Sequence, residues 1–232
     1  MTEPSEPRLL ILETSGRAGR VAVAAGSRLL SVRPLEESRR HARDLAPAVA
    51  DLLAEQGWRP RDLHAVVVSR GPGSYTGLRV GLMSAKAFAY ATGCALLAVD
   101  TFAAVALQAP PGAARLDVLA DAQQDKVYVQ SFARGTAGVS AVSELQIRPF
   151  AGWLADREAG ARVTGPGLRK WKDRLPPDVP VVEAALWEPQ PSSLLQLALP
   201  RYQAGGRDDL WTLEPLYLRP SSAEEQWQKL GR

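Results

Sequence analysis

Apolar residues open the chain in three short runs that polar, glycine-containing turns separate, and this pattern predicts three β-strands. The apolar period then changes to that of a helix, which we expect to end at a C-cap, Gly57. Beyond it, runs typical of buried strands alternate with helical stretches. The expected strands are residues 8–13, 20–25, 28–33, 65–69 and 95–99, and the expected helices are residues 41–56, 75–92 and 101–108.

The second half repeats this order with shorter elements, after a linker rich in proline and glycine at residues 109–112. We expect Ser192 to cap the last helix of this half. The expected strands are residues 116–120, 126–132, 139–145, 161–164 and 179–183, and the expected helices are residues 150–158, 168–174 and 193–203.

Three antiparallel strands followed by alternating helices and strands form the layout of a ribonuclease H-like unit. The sequence therefore predicts an α/β protein of two such lobes, each βββαβαβα around a mixed sheet, as in actin, Hsp70 and the sugar kinases. We expect an N-terminal lobe at residues 1–110, which carries partner-binding helices. A smaller C-terminal lobe with a C-terminal tail is expected at residues 111–232.

Composition narrows the class of protein further. The 232 residues are 46% apolar and 23% charged, as in an ordinary globular protein. One cysteine, Cys94, excludes a disulfide framework, and two histidines, His41 and His64, leave little room for a histidine-rich metal centre. The apolar runs are too short to span a bilayer and the start of the chain is polar, so we expect a cytoplasmic protein without a metal.

Charge leaves two interpretations open. The net charge is +3, from 28 basic and 25 acidic residues, and the excess lies in the first half of the chain. A solvated arginine-rich face explains it, and so does assistance to an RNA-binding partner.

A glycine-rich segment joins the fourth expected strand to the helix at residues 75–92. Its glycines allow a tight turn, and Ser74 or Thr76 can cap the free N–H groups of the helix. A structural turn and a phosphate site both fit this pattern, because a helix N-terminus attracts anions. The residues of this structural loop are Arg70, Gly71, Pro72, Gly73, Ser74 and Thr76.

Small residues recur every four positions along the same helix and therefore share one face. Such a stripe allows another element to approach closely, either inside the lobe or from a partner protein. For the second alternative, we expect Gly77→Arg or Gly81→Arg to break association and to leave the fold largely intact. The candidate interface residues are Gly73, Gly77, Gly81, Ala85 and Ala89, together with His41 and Leu45 of the first helix.

Acidic residues end the first strand of each expected lobe. Glu13 and Asp121 would both project toward the cleft between the lobes, where ligands gather in two-lobed proteins. With Thr14 and Ser15, they are the candidate residues for weak binding of ATP or ADP, at this cleft or at a partner interface.

Several segments together resemble the TsaB (YeaZ) family, and the resemblance covers nearly the whole chain. The glycine loop is its most specific part. The segments are LILETS at residues 10–15, residues 41–47, RGPGSYTGLR at residues 70–79, DAQQDKVY at residues 121–128 and EPLYLR at residues 214–219.

The resemblance implies an inactive, glycoprotease-like member of the actin-like superfamily. It implies a non-catalytic subunit of the complex that transfers threonylcarbamoyl to the adenosine beside the anticodon of tRNAs reading codons that start with A. The partners would be the catalytic, metal-bearing paralogue TsaD and the ATPase TsaE, with tRNA reached through the complex. A homodimer is expected when the chain is alone. Helices of the first lobe would form the shared partner surface.

Two residues depart from the family pattern, which usually has aspartate at the position of Glu13 and arginine at that of Gln123. Both departures weaken the case for a working nucleotide site. Two other classes remain as alternatives: an independent ATP-binding kinase or ATPase with the actin-like fold, and a metallopeptidase.

Overall fold

A computed structural model describes residues 6–35, 41–136 and 138–218, without the side chains of residues 41 and 42. Its first sheet has the strand order β3-β2-β1-β4-β5. The strands β1 to β3 are antiparallel neighbours, whereas β4 pairs in parallel with both β1 and β5. The strands are β1 (Arg8–Glu13), β2 (Arg20–Ala25), β3 (Arg28–Pro34), β4 (Ala65–Gly71) and β5 (Ala95–Asp100).

Helices of the first half lie where the sequence predicts them. They are α1 (His41–Glu55), α2 (Tyr75–Thr92) and α3 (Thr101–Gln108), and a short 3-10 turn (Pro60–Asp62) precedes β4. The apolar faces of α1 and α2 pack on one side of the first sheet, where Leu52 and Leu82 join residues such as Leu12 and Val68 in one core. Pro47 lies inside α1.

The second sheet has the order β10-β6-β7-β8, and β9 also pairs with β7. Its strands are β6 (Arg115–Asp121), β7 (Lys126–Gly135), β8 (Gly138–Ala141), β9 (Gln146–Pro149) and β10 (Arg162–Thr164). Its helices are α4 (Phe150–Asp156), α5 (Leu168–Trp171) and α6 (Pro191–Gln203), with 3-10 turns at Lys172–Arg174 and Ala184–Leu186. Two α/β units with mixed sheets confirm the expected fold class.

Three details of the second half differ from the expectation. The run at residues 139–145 is interrupted, because β8 and β9 pair with opposite ends of β7. The run at residues 179–183 forms only an isolated bridge between Val163 and Val181, and Pro180 within it has no N–H group to donate. The last helix begins at Pro191, so Ser192 lies inside the helix and is not its cap.

Two helices pack across the expected boundary at residue 110. Helix α3, from the first half, packs its Phe102 and Val105 against the second sheet, in a core with Leu116 and Phe132. Helix α6, from the second half, packs in return on the first sheet, on the face opposite α1 and α2. A division at residue 110 therefore separates the two sheets but not the helices that cover them.

Candidate functional site

The glycine loop brings the start of α2 against the turn that follows β1. Ser74 caps α2, because its hydroxyl accepts a hydrogen bond from the Gly77 N–H at 3.2 Å. The N–H of Ser74 donates to the Ser15 carbonyl at 2.8 Å, so the cap is attached to the neighbouring turn. The predicted capping role of Ser74 is confirmed, and Thr76 is exposed on the outside of the helix.

The small residues of α2 face the interior of the first lobe. Gly77, Gly81, Ala85 and Ala89 are all buried. A Cβ atom at Gly77 would lie well under 3.0 Å from the carbonyl oxygen of Thr14. The same holds at Gly81 for the Thr14 hydroxyl. The Thr14 hydroxyl donates to the Gly77 carbonyl at 2.8 Å, which closes the contact.

This geometry corrects the expectation that the stripe itself meets a partner. Of the two alternatives, packing inside the lobe describes its four buried members, while Gly73 is exposed. Leu45 also lies in the core of the first lobe, and the side chain of His41 is outside the described residues. An arginine at Gly77 or Gly81 would collide with the β1 end, so we now expect it to disturb the fold.

The opposite side of α2 is exposed. We call it the outer α2 face and define it by Thr76, Arg79, Met83, Ala87 and Tyr90, which recur at helical spacing. Met83 is 63% exposed and Tyr90 is 71% exposed. If helices of the first lobe bind a partner, this is the side of α2 that is available for contact.

Glu13, the candidate cleft acid, is fully buried and turned back onto its own chain. Its Oε1 atom accepts hydrogen bonds from the Ser15 N–H at 2.7 Å, from the Ser15 hydroxyl at 2.5 Å and from the Gly16 N–H at 3.3 Å. Burial raises the pKa of the Glu13 carboxyl above its ordinary value, and these hydrogen bonds act in the opposite direction.

Glu188 closes the same turn from the other side. A Cβ atom at Gly16 would stand 2.6 Å from the Oε2 atom of Glu188, so a larger residue at this position would displace the Glu188 carboxyl group. The Oε1 atom of Glu188 accepts from Arg169 at 2.9 Å, and the Glu188 carbonyl accepts from Gln108 at 2.9 Å. Glu188 is 6% exposed and comes from the second half of the chain.

These contacts test whether the turn after β1 fits the phosphates of ATP or ADP. An anion would need the N–H groups of Ser15 and Gly16, and the Glu13 carboxylate already occupies them. The carboxyl group of Glu188 stands beside the same glycine. The residues present therefore do not fit a phosphate in this conformation.

The carboxylate of Asp121, the other candidate acid, accepts hydrogen bonds at the end of β6 in the second sheet. Both of its carboxylate oxygens accept from Lys170 Nζ, at 3.0 Å and 3.1 Å, and Oδ1 also accepts from the Gln123 N–H at 3.0 Å. Gln123, at the position of the usual arginine, lies in the turn between β6 and β7 with a φ of 61°. Thus the carboxyl groups of Glu13 and Asp121 each form hydrogen bonds with residues next to them in the structure.

Several residues of this region carried no sequence signal of their own. Gln108 joins α3 to the start of α6: its Oε1 atom accepts from the Gln190 N–H and from the Ser193 hydroxyl, both at 2.7 Å. Neither Gln108 nor Glu188 belongs to a recognisable motif, and both act between segments about 80 positions apart.

Neither a cluster of metal-ligating side chains nor a membrane-spanning helix occurs among the described residues. No three His, Cys, Asp or Glu side chains among them come together in a way that would hold a metal ion. None of the helices in the described ranges has both the length and the apolar character needed to cross a bilayer.

Comparison with known proteins gives consistent matches. The sequence model of the TsaD family, tRNA N6-adenosine threonylcarbamoyltransferase, matches residues 10–162. The tRNA threonylcarbamoyladenosine biosynthesis protein TsaB of Escherichia coli (strain K12) is 28% identical over 199 residues, which cover 83% of this chain and 85% of the relative. TsaB of Bacillus subtilis (strain 168) is 27% identical over 226 residues, with 94% and 97% covered.

A solved structure has the same architecture. YeaZ from Pseudomonas aeruginosa superposes with a TM-score of 0.78 at 28% sequence identity, and the match covers 91% of this chain and all of that one.

Proposed function

The chain belongs to the TsaB (YeaZ) family, and from this premise we propose that it is the non-catalytic subunit that binds and supports a TsaD-type transferase. Its role lies in the biosynthesis of tRNA threonylcarbamoyladenosine, the process that its relatives' names state. The TsaE ATPase and tRNA join through the complex, and the chain forms a homodimer when the transferase is absent. We expect this to take place in the cytoplasm.

The outer α2 face carries the proposal. Most large apolar side chains are buried, yet Met83 and Tyr90 stand mainly in solvent on one helix of the first lobe. Exposed apolar residues grouped on one face are typical of protein interfaces. The inner side of the same helix is fixed on the turn after β1 through Gly77 and Thr14. A partner would therefore meet a helix already held in place.

The turn after β1 supports a subunit rather than an independent kinase or ATPase. Such an enzyme must hold the phosphates of its nucleotide at backbone N–H groups or cations. Here Glu13 takes the N–H groups of Ser15 and Gly16, and Glu188 adds a second carboxyl group at Gly16. The N–H groups of this turn therefore bind a carboxyl group of the same chain and not a ligand.

Reconstitution of tRNA modification tests the proposal. Threonylcarbamoyl transfer to tRNA is measured with a TsaD-type transferase and its other components, with and without this chain. We expect no transfer by the chain alone and a large gain when it is added. Equal product yield with and without the chain would refute the proposed role.

Two variants test whether the gain in threonylcarbamoyl transfer depends on the outer α2 face. Met83→Glu introduces a charge at the centre of this face and should abolish most of the gain. Val142→Glu is the matched control, because Val142 is also exposed, at 51%, but lies beside the second sheet. An equal effect of both variants would mean that the face has no special part in binding.

A further inference from the structure

The chain crosses between its two sheets twice, and the two crossings lie side by side. The first crossing follows α3 and leads to β6, and the second returns from the second sheet to α6. We call residues 106–114 and 183–193 the lobe junction; they include the end of α3 and the start of α6. In two-lobed proteins the lobes rotate about segments of this kind. The contacts of the junction therefore determine whether the cleft can open.

Gln108, the last residue of α3, binds the two crossings to each other with all four hydrogen bonds that its amide group can form. Its Nε2 atom donates to the carbonyls of Leu186, at 3.0 Å, and Glu188, at 2.9 Å. Its Oε1 atom accepts from the Gln190 N–H and the Ser193 hydroxyl, both at 2.7 Å. A rotation of one crossing relative to the other must break these bonds.

Arg134 attaches the end of α3 to the second sheet. This arginine lies in β7, and its Nη2 atom donates to the carbonyls of Ala106, Leu107 and Ala109, at 3.0, 3.1 and 2.8 Å. The carbonyl groups at the end of a helix lack partners inside the helix and carry partial negative charge, so a guanidinium group is favourable there. Helix α3, which begins at the first sheet, is thereby fixed to the second lobe.

Glu188 connects the second crossing to both lobes. Its Oε1 atom accepts from Arg169 of α5 at 2.9 Å, on the side of the second lobe. Its Oε2 atom lies against Gly16, in the turn after β1, on the side of the first lobe. The neighbouring Pro189 carbonyl also accepts from Arg20 of β2 at 3.4 Å. The side chain of Glu188 is only 7% exposed, so its carboxyl group is enclosed between the two lobes.

We propose that Gln108 and Glu188 form a latch that holds the two lobes of this chain in one closed arrangement. The latch joins the segments about which the lobes would rotate, and its side chains contact the first lobe, the second lobe and both crossings. The chain therefore acts as one rigid body, and its partner surface keeps a fixed position relative to the second lobe. The latch concerns the lobes of this chain alone, so its failure in the test below leaves the proposed function untouched.

The distance between two spin labels, one on each lobe, tests the latch. Asp51→Cys in α1 and Glu144→Cys between β8 and β9 place the labels at exposed positions outside the lobe junction. The chain's own cysteine, Cys94, is replaced by alanine. Double electron–electron resonance then gives the distribution of distances, and an excess of unlabelled chain removes the contribution of a second copy.

Gln108→Ala is the first latch variant and removes the hydrogen bonds between the crossings. Gln130→Ala is its matched control, because the Gln130 side chain donates to the Ser143 carbonyl, at 3.2 Å, inside the second lobe. Each variant loses one glutamine amide, but only Gln108 lies at the lobe junction.

Arg169→Ala is the second latch variant and removes the second-lobe contact of Glu188. The Arg169 side chain is 54% exposed, so this variant should keep its fold, which near-ultraviolet circular dichroism checks. Arg174→Ala is the matched control, because the Arg174 side chain is 50% exposed and pairs with Asp125 inside the second lobe.

We expect one narrow distance distribution for the wild-type chain and for both controls. Gln108→Ala should at least double the width of the distribution or add a second distance, and Arg169→Ala should change it in the same direction. If Gln108→Ala does not fold, Arg169→Ala alone decides. A broad wild-type distribution would overturn the inference, because the lobes would then move with the latch in place. Unchanged distributions in the latch variants, or equal changes in the controls, would overturn it as well.

Discussion

Replacing Gly77 by alanine isolates the close contact on which the position of α2 depends. In an ordinary helix interior this change is favourable, because alanine has the higher helix propensity. In this helix the added methyl group points at the carbonyl oxygen of Thr14, a backbone atom at the end of β1. The helix and the strand end must therefore move apart.

The expected size of the effect follows from one favourable and two unfavourable contributions to the free energy of unfolding. Alanine gains about 1 kcal/mol in helix propensity. Overpacking against a rigid neighbour costs about 1–3 kcal/mol. Moving the helix away from the strand end also weakens two hydrogen bonds, Thr14–Gly77 and Ser74–Ser15, which are both 2.8 Å long. Each of these bonds contributes about 1 kcal/mol. The losses exceed the gain, so we expect Gly77→Ala to lower the free energy of unfolding by about 1–3 kcal/mol.

Urea unfolding followed by far-ultraviolet circular dichroism measures this difference. Gly152→Ala is the matched control: Gly152 also lies in a helix, α4, and a Cβ there would meet only the end of the Arg148 side chain, at 4.0 Å. The control should keep or raise stability by up to about 1 kcal/mol. If Gly77→Ala were as stable as the wild type, the close approach of α2 to Thr14 would not exist as described.

Three further substitutions test separate contacts. Ser74→Ala removes the cap of α2 and should lower the free energy of unfolding by about 1 kcal/mol in the same urea assay. Gln108→Ala leaves the buried Ser193 hydroxyl without its acceptor, and a loss of about 1–3 kcal/mol is expected in thermal or urea unfolding. Because burial raises the pKa of Glu13, its contribution to stability is present below the ordinary carboxyl pKa and is lost as the pH rises through the raised value. Glu13→Gln should flatten this part of the curve of unfolding free energy against pH, and an unchanged curve would contradict the assignment.

The strands and helices of the first lobe were largely predictable, because the sequence signals for them are local. Strands β1 to β5 show either the turn residues of a hairpin or a fully apolar run, and α2 has a capping serine at one end and Gly93 at the other. Such signals depend on a few neighbouring residues. Three of the five segments that carry the family resemblance lie in this lobe, and the glycine loop, the most specific of them, is among the three.

The second half was less predictable because its strands are short and irregular. The apolar run at residues 179–183 resembles a buried strand, but Pro180 limits its hydrogen bonding to an isolated bridge. The packing of α3 against both sheets, and of α6 against the first sheet, has no local signal at all. An apolar helix face shows that a helix is covered, and it does not show which sheet covers it.

The candidate cleft acids show the same limit for chemistry. The sequence places Glu13 at the end of β1, where it was expected to project into the cleft. The structure turns its carboxylate back onto Ser15 and Gly16, with Glu188 arriving from a distant segment. The position of a residue along a strand predicts where its side chain leaves the backbone. The hydrogen bonds of that side chain depend on neighbours that only the folded chain brings together.

The glycine stripe finally connects the interior of the lobe to its partner surface. Small residues allow close approach, but the pattern does not say whether the approaching element belongs to the same chain. In this protein it is the end of β1, and the contact through Thr14 fixes the rotation of α2 about its axis. That rotation directs Met83 and Tyr90 outward. The stripe therefore acts on a partner indirectly, because it determines which side of the helix remains available for binding.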